Sequence, residues 1–99
     1  MSIEQRIYDG DRAKEVLDNE AFSAVFDDIE SELTHAWKNS PQRDAEGRER
    51  IHLALSMMQK VKACLVSRME SGTMARLDLE HKRSISERLR ESVSGIFSE

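Results

Sequence analysis

Three amphipathic patterns follow one another along this chain with almost nothing between them, so the fold has to be built from helices. Over 19–38 the apolar residues Phe22, Val25, Phe26, Ile29, Leu33, Ala36 and Trp37 recur at steps of 3, 1, 3, 4, 3 and 1. That is the 3.6-residue period of a helix and not the period of two of a strand. Over 41–71 the stripe is Ile51, Leu55, Met58, Val61, Leu65 and Met69, with Ala54 and Cys64 beside it. Over 74–97 it is Met74, Leu77, His81, Ile85, Leu89, Val93 and Ile96. Steps of four slightly exceed one turn, so this last stripe drifts slowly round its helix.

The punctuation marks the expected boundaries. Residues 1–10, ending Tyr8-Asp9-Gly10, read as an irregular lead, and residues 11–99 as a single helical domain. Asp11 is placed to cap a short helix over 11–18, and Asn19 to cap the next over 19–38, with Glu20 in its first turn. Asn39-Ser40-Pro41 ends that helix, because the residue before proline is pushed out of the helical region. Ser40 and Pro41 then read as the cap and first position of a helix over 41–71. Gly72 reads as its C-cap, and Thr73 as the start of a last helix over 74–97; the alternative is that Gly72 is only a weak point in one long helix. Connectors this short favour antiparallel neighbours. The expected fold class is all-α: an antiparallel helical hairpin plus a third long amphipathic helix. Long helices in so short a chain share their apolar stripes poorly within one copy, so an oligomeric helical bundle is expected.

Charge narrows the function. Lys and Arg number 15 against 19 Asp and Glu, a net of −4, which excludes a generally basic nucleic-acid binder. The charges are unevenly placed, with a net of −6 over 1–40 and +2 over 41–99. The acidic half can therefore sit against the basic half, within one chain or between copies. Cys64 is the only cysteine, so no intrachain disulfide can form. It reads as a packed, inert thiol in a reducing compartment. No apolar run approaches the ~20 residues of a membrane span. Met1-Ser-Ile-Glu-Gln-Arg6 lacks the apolar stretch of a secretory signal. The expected location is the cytoplasm.

No stretch carries a catalytic or metal motif. His35, His52 and His81 form no His-x-x-x-His pair, so neither a metal nor a cofactor is expected. Asp27, Asp28, Glu30 and Glu32 are dense, but no histidine or glycine-rich loop supports them. Asp28 and Glu32, four apart, share one face and read as partner contacts. Met57, Met58, Met69 and Met74 read as core filler. The residues expected at interfaces are Phe26, Trp37, Leu77, His81, Ile85 and Leu89. Arg76, Arg83 and Arg90 recur every seven residues beside the last stripe. They read either as flanking charges of a helix–helix contact or as phosphate contacts. No aromatic lies among them to stack a base.

Ala36-Trp37-Lys38-Asn39-Ser40-Pro41, Asp44-Ala-Glu-Gly-Arg-Glu49, the Leu-rich helix and Met69-Glu-Ser-Gly-Thr-Met-Ala-Arg76 together resemble small uncharacterised all-helical proteins encoded by tailed bacteriophages. The likeness covers roughly residues 12–90. It carries over no activity, catalytic residue or cofactor. It implies a viral origin and action in an infected bacterial cytoplasm or in a virion. Two function classes stay open. One is a non-catalytic, self-associating interaction module acting on a host or viral protein, in defence inhibition or head assembly. The other is binding of nucleic acid or a nucleotide by the basic edge of an oligomer.

Overall fold

The computed structural model describes residues 1–97 and is all-helical over them, with three helices: α1 (Ile3–Leu17), α2 (Glu20–Asn39) and α3 (Ala45–Phe97). α3 alone has 53 residues, which at ~1.5 Å per residue makes a rod of about 80 Å. The molecule measures 86 × 24 × 18 Å, with a radius of gyration of 23.2 Å. A compact globule of this length would have a radius of gyration of about 13 Å.

The largest departure from the sequence expectation is at Gly72. It neither caps a helix nor separates two: α3 passes straight through it, and no glycine of the described residues has positive φ. Its missing side chain is used instead for packing. A Cβ on Gly72 would lie 2.8 Å from the Gly10 Cα, and one on Gly10 would lie 2.7 Å from the Gly72 Cα and 2.9 Å from the Arg68 carbonyl oxygen. The two backbones touch there. Ala13 and Ala75, three residues beyond each glycine, are the only buried hydrophobic residues among those described. Arg6 stitches the contact on one side. Its Nε donates to Ser71 Oγ at 3.1 Å, and a terminal guanidinium nitrogen donates to the Ser71 carbonyl at 3.2 Å.

This docking also corrects the reading of residues 1–10 as irregular. α1 starts at Ile3, capped by Ser2, whose hydroxyl accepts from the Gln5 N–H at 3.1 Å. Ile3, Ile7, Gly10, Ala13 and Leu17 form its inward row. The lead is helical because α3 gives that row something to pack on, which local sequence cannot reveal. Asp11 is accordingly an interior residue and no cap; it pairs with Arg76. At the end of α1, Lys14 pairs with Asp18, whose hydrogen bond and charge raise the lysine pKa above its ordinary range.

α2 starts as expected, with the Asn19 side chain accepting from the Phe22 N–H at 2.9 Å, and ends before Pro41 with Ser40 extended. Pro41 does not begin a helix. Residues 41–44 form a turn, and α3 starts after Asp44, whose carboxylate accepts from the Gly47 N–H at 3.0 Å. A carboxylate meets the helix dipole better than the Ser40 hydroxyl would. Ser40 is used instead at the end of α2, where its hydroxyl donates to the Trp37 carbonyl at 2.6 Å.

Alanine at Gly10 or Gly72 should lower stability by roughly 1–3 kcal/mol through overpacking, although alanine is the better helix former by about 1 kcal/mol. Gly95→Ala, where a Cβ meets nothing within 4 Å, should lower it not at all. Thermal melts followed by circular dichroism check the contrast.

Candidate interaction surface

The contacts that hold α2 to α3 use the aromatic residues of its inward row. The Trp37 ring lies 6.3 Å from the His52 ring, and the Arg48 guanidinium sits 4.0 Å above Trp37. Arg48 also donates to the Ser40 hydroxyl at 2.7 Å and to the Ser40 and Trp37 carbonyls at 3.3 and 3.4 Å. One guanidinium thus covers the tryptophan face and the open carbonyl end of α2, where a cation is favoured. Phe26 packs on Phe22 with ring centroids 5.6 Å apart and lies 5.9 Å from the Lys62 ammonium. Phe26 and Trp37, expected at an interface, are therefore engaged inside the chain.

The other expected interface residues lie on α3 and are open. Leu77, His81, Ile85 and Leu89 are all exposed, with Leu89 at 62 %, as are Met74 before them and Val93 after them. Ile96 belongs to the same expected stripe, but its side chain lies outside those described. Met74, Leu77 and His81 have no cover because α1 docks on another side of α3, that of Gly72, Ala75 and Leu79; Ile85, Leu89 and Val93 have none because they lie beyond the stretch on which α1 docks. Beyond Ser84 no described side chain of α3 is even half-buried. We refer to this distal stretch, 80–95, as the arm.

Two further apolar rows are exposed. Leu53, Met57 and Val61 form one on the first half of α3. Cys64 continues it and is exposed, not packed, because the row lies about three turns before Gly72 and Ala75 on the same side of the rod, short of where α1 docks. Met58 and Met69 are half-buried as filler should be, while Met57 and Met74 are exposed. On α2, Val25 and Ile29 are exposed at 57 % and 42 %. No large side chain among those described is fully buried anywhere.

The charged residues take distinct roles. Asp28 and Glu32 are exposed and lie on the Val25–Ile29 side of α2; neither has an ion partner among the described residues. Asp27 and Glu30 lie on its other side, along a shallow groove with Ser31, Thr34, His35 and Lys38. Arg76 donates to both carboxylate oxygens of Asp11, at 2.9 and 3.0 Å. Arg83 and Arg90, one and two seven-residue repeats further on, have no such partner among the described residues and border a shallow surface with Lys82, Ser86 and Glu87. The expected set of three arginines is thus divided. Arg76 shows what this edge does when a helix lies beside it, and the other two are free to do the same.

Among the described residues no group of three or more His, Cys, Asp or Glu side chains is placed to hold a metal ion, and no side-chain polar atom is buried without a partner. No helix among them is long and apolar enough to cross a membrane. No protein family, curated protein or solved structure matches this chain.

Sequence reasoning missed the glycine pair and Arg48. A signal for the first was present: Gly10-Asp-Arg-Ala13 and Gly72-Thr-Met-Ala75 place small residues at the same spacing on two helices. Arg48→Ala should uncover the only tryptophan, shifting its fluorescence emission to the red, and should reduce stability by about 1–2 kcal/mol. Arg48→Lys should restore little, since an ammonium cannot both stack flat on the ring and reach three acceptors.

Proposed function

We propose that this chain is a non-catalytic protein-interaction module that works as a homo-oligomeric helical bundle. The observation that carries the reading is its surface. One copy exposes 8125 Å², whereas a folded monomer of 11.4 kDa is expected to expose about 5,800 Å². The excess of roughly 2,300 Å² is larger than the ~1,600 Å² that a standard stable interface buries in total. It is lined by three apolar rows, and patches of that kind mark protein contacts. Within each copy α2 and α3 form an antiparallel hairpin. The contacts Trp37–His52 and Phe26–Lys62, which run in opposite order along the two helices, support this. The partner beyond self-association is a host or viral protein, on the strength of the phage resemblance alone.

Phosphate binding by the basic edge is the less supported reading. Arg76 is already held by Asp11, which leaves Arg83 and Arg90 with Lys82.

Light scattering across a range of concentrations, at low salt and at about 0.5 M salt where surface charges are screened, tests the reading. A defined multiple of 11.4 kDa retained at high salt is expected, because apolar rows dominate the buried area. A mass of one chain at every concentration contradicts it.

A further inference from the structure

The arm and the acidic helix of one chain are complementary surfaces that the same chain cannot bring together. On the arm, Ile85, Leu89 and Val93 recur at four-residue steps, so they share one side of the helix, and Arg83 and Arg90 lie along its edge. On α2, Val25 and Ile29 also stand four apart, with Asp28 and Glu32 along their edge. From 20 to 39 the charges are one lysine against five acids, while from 82 to 90 they are four cations against one acid. In the folded chain Phe26 is level with Lys62, and Ile85 lies 23 residues further along a continuous helix, about 35 Å away. A rigid rod cannot fold back across that distance.

We propose that the arm of one copy packs on α2 of a second copy, in a two-fold dimer that makes this contact twice. Ile85, Leu89 and Val93 cover Val25 and Ile29, and Arg83 and Arg90 pair with Asp28 and Glu32. The chain already contains the template for this contact: on the same edge, Arg76 holds the Asp11 carboxylate of a packed helix. The inference rests on the interaction-module reading and gives one of its faces a partner, a second copy of this chain. The geometry also locates the symmetry axis. The contacts Phe26–Lys62 and Trp37–His52 put 25–29 of α2 level with about residue 61 of α3. Setting the partner's Leu89 at that height places the two-fold axis near residue 75, beside Met74, which is 62 % exposed on the face away from α1. A two-fold contact brings each residue near its axis against its own copy.

Two measurements on the full chain test this. In the first, Asp28→Arg with Glu32→Arg should raise the dimer dissociation constant at least tenfold by sedimentation. Arg83→Glu with Arg90→Glu should do the same. An equimolar mixture of the two variants, each confirmed helical, should associate to within about threefold of the native value. In the second, Cys64→Ser with Met74→Cys should form a disulfide-linked dimer under mild oxidation, and Cys64→Ser with Leu53→Cys should not. A stable oligomer that ignores both charge reversals, or that links through residue 53 and not 74, overturns the pairing and leaves the interaction-module reading standing. A chain that stays monomeric overturns both, and binding of an oligonucleotide that depends on Arg83 and Arg90 would then assign the arm to phosphate.

Discussion

The structure depends on the contact between Gly10 and Gly72. Two helix backbones approach there until a single methyl on either would collide with the other. That closeness aligns Ala13 and Ala75 into the only buried hydrophobic spot among the described residues, and it brings Arg6 to Ser71 and Asp11 to Arg76. It also chooses a side. With α1 on the glycine side of α3, the row from Met74 to His81 is turned outward, and the apolar residues from Ile85 on lie past the docked stretch. The exposed face of the rod is thus a consequence of where its one tight contact was made.

What remains is thinly held by its own chain. Helix formation has a costly nucleus and a modest gain per residue, so packing supplies most of the stability of helices in proteins. Beyond Ser84 every described side chain of the arm is exposed. Its ion pair between Lys82 and Asp78, at 3.3 Å, is exposed, and such pairs contribute ~0–1 kcal/mol. The end of α2 is better secured, because Arg48 stacks on Trp37 and meets three acceptors at once. The rod is therefore anchored at its first half and middle and unsupported distally, where its free arginines lie.

Much of this was legible in the residues, and the failures share one cause. Period located α2 and both halves of α3, and Asn19 and Pro41 gave the bounds of α2 because capping and proline sterics are local rules. Gly72 was misread as a terminator because the same residue serves two purposes: it permits positive φ, and it permits close approach. Only the matched glycine on α1 separates them. The lead was misread as irregular for the reverse reason, since Ile3, Ile7 and Gly10 have meaning only against a helix more than sixty residues away in sequence. Cys64 was expected to be packed because its neighbours are apolar, but an apolar row is buried only where something lies on it. At the surface, the seven-residue repeat of Arg76, Arg83 and Arg90 was readable, whereas its division into one paired and two free arginines required the position of Asp11.

The account turns on a distal helix completed by another molecule, and hydrogen–deuterium exchange along α3 tests this most directly. Amides of 83–95 should exchange quickly in dilute solution and become protected as concentration rises, while those around Gly72 stay protected throughout. Arm amides whose exchange does not change with concentration, whether fast or slow, would contradict it.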